Sequence, residues 1–329
     1  MALIVPLSAA MLACGGTDAI TPPPESRLPP PVKLAYTDMS GLLFVFNTGT
    51  NTKQSIGDGA NELAWSPNGS ELAVARVVQK SQLLYVWRAV TGQLVELDSI
   101  PLPTLCDNRG CYAYPHYFEP AWSPDSRELA YLVGSEIRVA NADGMSRRTI
   151  SLPSGTDARG LRWTPDGRFL TYVDMSSEQS ARELRGVAAA TGGAPIVMLT
   201  TDNYIGMYAW APDSKKVAVT TEIDISVWEN GARLGSTALP VNSPTWSPDG
   251  SRIAVFGSSS AEGIYTVNDR SDGLRPVTYD GESGSGLTWT SDGKMLAFST
   301  MEGFFFADPE GGATYKLLGP IGVFAMTAP

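Results

Sequence analysis

Histidine occurs once in the 329 residues, at His116, and cysteine only three times. A structural zinc site needs four such ligands, and the one close pair, Cys106 and Cys111 in "CDNRGC", has only His116 for company. In an oxidising compartment a local disulfide closing a small loop is the better reading of that pair, with zinc as its competitor. Basic residues are scarce too. Lysine and arginine number 24 against 34 aspartates and glutamates, for a net charge of −10. Neutralising a phosphate backbone takes clustered cations, so the balance argues against nucleic acid as a partner. It also disfavours unassisted docking on an anionic lipid surface. No cofactor is expected. Calcium at acidic loops stays open, although no EF-hand spacing occurs.

The opening run "MALIVPLSAAMLAC" has no charged side chain and is mostly apolar, yet it is too short to span a bilayer as a helix. It suits the hydrophobic part of a secretory signal. Its end, Leu12-Ala13-Cys14, resembles the lipobox of bacterial lipoproteins. That resemblance implies cleavage before Cys14 and lipid modification of the new terminus; the alternative is an ordinary secretory signal that contains a cysteine. Residues 15–32, rich in proline and poor in large apolar side chains, cannot pack a core and read as an extended tether. The expectation is export across the bacterial inner membrane, with the body anchored in the periplasm or at the cell surface.

From residue 33 onward the sequence repeats itself. Trp65, Trp122, Trp163, Trp210, Trp246 and Trp289 open six related stretches, from "WSPNGSELAVA" to "WSPDGSRIAVF" and "WTSDGKMLAFS". Their separations of 57, 41, 47, 36 and 43 residues centre on about 45, the length of a four-stranded blade. A short strand ends at each tryptophan. The Pro-Asp-Gly that follows supplies a tight turn: proline presets φ, aspartate bonds back to the backbone, and glycine accepts positive φ. Ser126 and Ser214 stand in the glycine slot and predict two slightly strained turns. The next strand runs large aliphatic, small, then aromatic or valine, as in Leu129-Ala130-Tyr131 and Ile253-Ala254-Val255. Successive apolar residues mean that both faces of the strand are covered.

Two further strands complete each unit, giving strands A to D with the tryptophan ending A. Residues 33–56 carry the B, C and D pattern without an A strand, and "GVFAMTAP" resembles an A strand with Met326 at the tryptophan position. Joining them completes a seventh unit and closes a ring with no free sheet edge. An all-β propeller of seven four-stranded blades over residues 33–329 is therefore expected, with six blades as the alternative.

These repeats resemble those of TolB-type (WD40-like) propellers, whose unit reads roughly W-S-P-D-G-x-x-I-A-F. The resemblance implies the fold and leaves function open, since such propellers occur in the periplasmic TolB component of the Tol–Pal system, in gating domains of prolyl-oligopeptidase-type peptidases and in some oligogalacturonate lyases. The peptidase chemistry needs a hydrolase domain with serine, acid and histidine, and the propeller consumes the chain. The lyases hold a metal with several histidines, where this sequence has one. Asp125, Asp166, Asp213, Asp249 and Asp292 are explained by their turns. No catalytic set is visible, and the protein is expected not to be an enzyme.

What stands out is the long D–A connection before Trp122, which holds Tyr112, Tyr114, His116, Tyr117 and Phe118 beside the cysteine pair. Such a loop can recognise a partner, or its aromatics can fold back and cap the blades. By strand parity the D–A and B–C loops share one face, so Tyr204, Met207 and Tyr208 should neighbour the same mouth. His116 alone reads as a packing residue, and Trp87 and Trp228 as interblade packing. The leading expectation is a monomeric, non-enzymatic scaffold binding an envelope protein or polymer. Alternatives are a carbohydrate-binding or carbohydrate-active protein using the central funnel, and a companion subunit of a separate hydrolase or transporter.

Overall fold

The computed structural model describes residues 31–102, 104–107, 110–113, 118–257, 262–278, 284–312 and 314–327. Cys14 and most of the tether lie outside the described residues, as do Tyr114, His116 and Tyr117. For Cys106, Cys111 and Tyr112 only the backbone is described.

Seven antiparallel four-stranded sheets account for nearly all of the described chain. Blade 1 comprises Glu62–Trp65, Glu71–Val78, Ser81–Arg88 and Leu94–Pro101. Blade 2 comprises Ala121–Trp122, Glu128–Val133, Glu136–Asn141 and Arg147–Ser151. Blade 3 runs through Ala158–Trp163, Phe169–Asp174, Glu183–Ala188 and Gly192–Thr200, and blade 4 through Met207–Trp210, Lys216–Thr220, Ile225–Glu229 and Ala232–Thr237. Blade 5 is Val241–Trp246, Arg252–Gly257, Ile264–Asn268 and Arg275–Pro276. Blade 6 is Ser285–Trp289, Leu296–Thr300, Gly303–Ala307 and Thr314–Leu318.

Blade 7 is composite. Its strands B to D are Lys33–Asp38, Leu42–Asn47 and Thr52–Asp58, and its strand A is Ile321–Thr327 from the other end of the chain. Leu34 lies opposite Met326 and Ala35 opposite Ala325, so the register puts Met326 where the other blades carry tryptophan. Val32, assigned to the tether by composition, is buried in the core between blades 6 and 7. The chain is a seven-bladed β-propeller.

The Pro-Asp-Gly turns form as their residues dictate. Where serine or threonine follows the tryptophan, its hydroxyl donates at 2.6–2.8 Å to the Asp (Asn68 in blade 1) two residues on. That bond, with backbone N–H donors, holds the Asp125 and Asp249 carboxyls below the usual range; at Asp292 burial pulls upward, and the Thr290 hydroxyl, the Lys294 N–H and the Lys294 charge together outweigh it. The fourth turn position is left-handed in all six turns, including Ser126 at φ 63° and Ser214 at φ 60°.

Among the described residues there is no central core. The buried apolar residues divide into seven clusters, one in each seam between consecutive blades. A single blade could not bury its two faces alone, which is why the unit repeats and the ring must close. Strands A approach one another around the middle of the ring, and the pair from blades 3 and 4 is the most weakly joined.

Candidate functional site

The tryptophans explain both the regular seams and the irregular one. Trp122 Nε1 donates to the Ala64 carbonyl at 2.9 Å, Trp163 to Ala121 at 3.0 Å, Trp246 to Ala209 at 2.9 Å and Trp289 to Thr245 at 3.1 Å. Trp65 closes the ring onto Ala325 at 3.2 Å. Each acceptor is the residue just before the tryptophan position of the preceding blade, so in these five seams one indole staples a strand A to its neighbour; blade 7, with Met326, brings no indole to blade 6.

Trp210 breaks this rule. Its Nε1 donates at 3.1 Å to the Thr171 hydroxyl, which itself donates to the Arg162 carbonyl at 3.2 Å. Thr171 occupies the small position of strand B, which is alanine in the other six blades: Ala35, Ala73, Ala130, Ala218, Ala254 and Ala297. Tyr208, only 2% exposed, is wedged into the same seam, with its hydroxyl donating to the Gly160 carbonyl at 2.6 Å and lying 3.0 Å from the fully buried Thr171 Oγ1. Burial pushes the Tyr208 phenol far above its usual range, so it remains a hydrogen-bond donor.

A second irregularity coincides with the first. Side chains three residues before the tryptophan bridge blade to blade at three seams. Glu62 Oε2 accepts the Glu119 N–H at 3.0 Å, Glu119 Oε2 accepts the Leu161 N–H at 2.8 Å, and the Met207 sulfur accepts the Ser243 N–H at 3.3 Å. Blade 3 has Gly160 at this rim position, as blade 6 has Gly286, and therefore makes no side-chain bridge to blade 4. Gly160 sits at φ +70°, and a Cβ there would meet Tyr208 Cε1 at 3.3 Å. Glu119 and Ser243 adopt the same left-handed geometry at φ 46° and 52° without glycine's freedom.

At this unbridged seam the face bearing the D–A and B–C connections opens into a cavity of about 520 Å³. That size suits a small ligand or a protruding side-chain cluster. Met175, Tyr204 and Met207 line it with apolar surface, Tyr204 being 37% and Met207 46% exposed. Its charged groups are Glu119, Arg159, Arg162 and Glu222. Arg159 is paired with Asp157 at 2.9 Å. Arg162 forms no carboxylate ion pair among the described residues and extends over the Tyr208 ring, 6.0 Å from its centroid. The Arg182 guanidinium covers Tyr204 at 5.5 Å from its centroid.

The rim carboxylates are poised differently from ordinary surface acids. Burial raises Glu62 to about 7, against the pull of the Glu119 and Phe118 N–H groups that favour its charge. Burial also raises Glu119, partly offset by the backbone N–H groups of Leu161 and Gly160 and by Arg159 and Arg162. Among the described residues, no group of three or more His, Cys, Asp or Glu side chains is arranged to hold a metal ion.

Of the residues singled out in the sequence, Tyr204, Met207 and Tyr208 are brought together at one cavity, with Tyr208 as its buried wall. Phe118 lies elsewhere: it is buried between blades 1 and 2, edge-on to Tyr131 with ring centroids 5.8 Å apart. The backbone of the long connection forms a hairpin, 104–107 against 110–113, that sets Cys106 opposite Cys111. Sequence reasoning missed Glu119, Gly160, Arg162 and Thr171. The signal was present as departures from the repeat: arginine before Trp163 where the other six units have alanine or threonine, and threonine for alanine in the next strand.

No family model matches the chain. Among curated proteins, dipeptidyl-peptidase 5 of Porphyromonas gingivalis is 26% identical over 134 residues, which is 35% of this chain and 19% of the peptidase. Among solved structures, the β-propeller domain of Cps50 (Swd1) from Myceliophteria thermophila has a TM-score of 0.61 at 12% identity, covering 79% of this chain and 87% of that one. TolB from Acinetobacter baumannii has a TM-score of 0.52 at 14% identity, covering 91% of this chain and 66% of that one. At these identities the likeness establishes the propeller and nothing of its activity.

Proposed function

We propose that this chain is a non-catalytic binding propeller of the bacterial cell envelope, tethered through Cys14, that holds an envelope protein or polymer against the face carrying its D–A and B–C connections. One observation carries the reading: the cavity at the seam of blades 3 and 4 combines exposed apolar side chains with an arginine that forms no carboxylate ion pair among the described residues. Exposed Met207 and half-exposed Tyr204 cost the fold solubility and make sense as contact surface. The lipobox-like start and the tether supply the location. The hairpin of Cys106 and Cys111 would be locked by a disulfide in that compartment, beside the same face.

Crosslinking and capture from envelope extracts test this, using the mature chain beside a Tyr204→Glu/Met207→Glu variant. The expected result is one saturable partner captured by the wild type and lost by the variant at unchanged melting temperature. Equal capture by both, or none by either, contradicts the reading. Tyr204 beside Glu119 and Glu222 also favours a second reading, a carbohydrate held in the same cavity. A glycan panel scored by thermal shift separates the two, because a sugar that raises the melting temperature of the wild type alone supports the second.

A further inference from the structure

We infer that the cavity between blades 3 and 4 selects a singly charged carboxylate attached to an apolar body, with Arg162 as its specificity-determining residue; this rests on the binding role proposed above.

The argument begins with which charges are already committed. Arg159 is engaged by Asp157 at 2.9 Å. Glu119 turns its carboxylate onto the backbone of the next blade, accepting the Leu161 N–H at 2.8 Å. Glu222, on the B–C connection of blade 4, lines the same cavity without an ion pair to Arg162 among the described residues. Arg162 is the cation without an ion pair among the described residues, felt by Glu119 only at longer range. It stands at a strand A position where the other blades carry Ala64, Ala121, Ala209, Thr245, Thr288 and Ala325. In the regular seams that position has a small side chain, so a solvent-exposed arginine there is not a requirement of the fold.

The chemistry of the site then narrows the ligand. A planar guanidinium offers two parallel N–H donors that match one carboxylate. A phosphate dianion would want further free cations, and here the other charged groups are Arg159, already paired with Asp157, and the two carboxylates Glu119 and Glu222. Beside the arginine lie Met175, Tyr204 and Met207, a shelf that takes apolar or aromatic surface without a matching polar group. Thioether and phenol side chains adapt to varied apolar shapes, so the shelf fixes the class of body and not its identity. The walls beneath are rigid: Thr171 and Tyr208 are buried and bonded to the strand A backbone, so Arg162 is held at the mouth by a fixed scaffold. Such a ligand is supplied either by a free small acid or by the C-terminus of a peptide whose last residue is apolar.

Calorimetric titration of the mature chain with N-acetylphenylalanine, its carboxamide, and Ala-Ala-Ala-Phe with free and amidated C-termini tests the inference. Each free acid should bind about tenfold more tightly than its amide, the scale of one charge-assisted pair at a partly exposed site. Arg162→Gln should abolish that preference at unchanged melting temperature, and Met207→Ala should weaken acid and amide alike. Tighter binding of the free-ended peptide than of the acetylated residue identifies a chain end as the source, and equal binding identifies a small acid. Equal affinity for acids and amides, no saturable binding of any probe, or a preference that survives Arg162→Gln overturns the inference. If envelope capture still depends on Tyr204 and Met207 in that event, the binding reading stands and only the carboxylate is lost.

Discussion

The seam between blades 4 and 5 and the seam between blades 3 and 4 are made from the same repeat and end differently. In the first, Trp246 reaches the Ala209 carbonyl directly and Met207 bridges the rim to Ser243. In the second, Trp210 reaches only a threonine hydroxyl, and Gly160 leaves the rim unbridged. A few residues, Thr171, Tyr208 and Arg162 with Gly160, turn an adhesive joint into a cavity while the Trp210 indole and the Tyr208 hydroxyl keep hydrogen-bond partners. The contrast teaches that a propeller can open a cavity at one seam without loss of closure, because each seam has its own core.

The largest effect should come from removing the indoles. Trp246→Ala takes a buried ring and its staple from a regular seam, and urea unfolding should record a loss of about 3–5 kcal/mol. Trp210→Ala, in the open seam, should cost clearly less, about 2 kcal/mol. Equal losses would erase the distinction between the seams.

A double-mutant cycle sharpens it. Thr171→Ala strands the Trp210 indole N–H and should cost about 1–2 kcal/mol. Adding Tyr208→Leu removes the wedge and lets Trp210 approach the strand carbonyl as its counterparts do. The pair should then be less destabilising than the sum of the singles by about 1 kcal/mol. Strict additivity would mean that the two residues do not act together.

On the bridged side of the rim, the test is pH. Burial raises Glu62 from 4.5 to about 7. Its contribution to stability is full below pH 4.5 and is lost as pH rises through about 7. Glu62→Gln, which keeps an acceptor for the Glu119 N–H, should flatten that dependence and be more stable than wild type at pH 8 by about 1–2 kcal/mol. Chemical denaturation at pH 5 and pH 8 measures both points; an unchanged slope would show that Glu62 is well solvated.

The smallest effect concerns two turns. Ser214 holds φ 60° in the fourth turn position, so Ser214→Gly should stabilise by about 0.5–1 kcal/mol. Ser126→Gly should gain nothing, because the Ser126 hydroxyl accepts the Asn68 N–H at 3.0 Å across the seam. Melting temperatures compare the two directly.

The fold was legible because its determinants are local and repeated. Six tryptophan turns fix the strands, and the truncated patterns around Leu34 and Met326 announce the shared blade. The site was legible in part. Tyr204, Met207 and Tyr208 could be placed at the mouth by strand parity alone. Their counterparts Arg162 and Thr171 lie inside the repeat, where pattern matching absorbs a deviation as noise. The bridges from Glu62 to Glu119 and from Glu119 to Leu161 are invisible in sequence, because they join side chains to the backbone of another blade. Left-handed Glu119 and Ser243 gave no warning either, since neither residue type implies positive φ.

Hydrogen exchange of the tryptophan indole protons, followed residue by residue in an NMR spectrum of the mature chain, compares the seams in one experiment. The Trp210 proton should exchange ahead of those of Trp122, Trp163, Trp246 and Trp289, which should remain protected as a group. Protection of Trp210 equal to theirs, or earlier opening at another seam, would contradict a propeller loosened at the joint of blades 3 and 4.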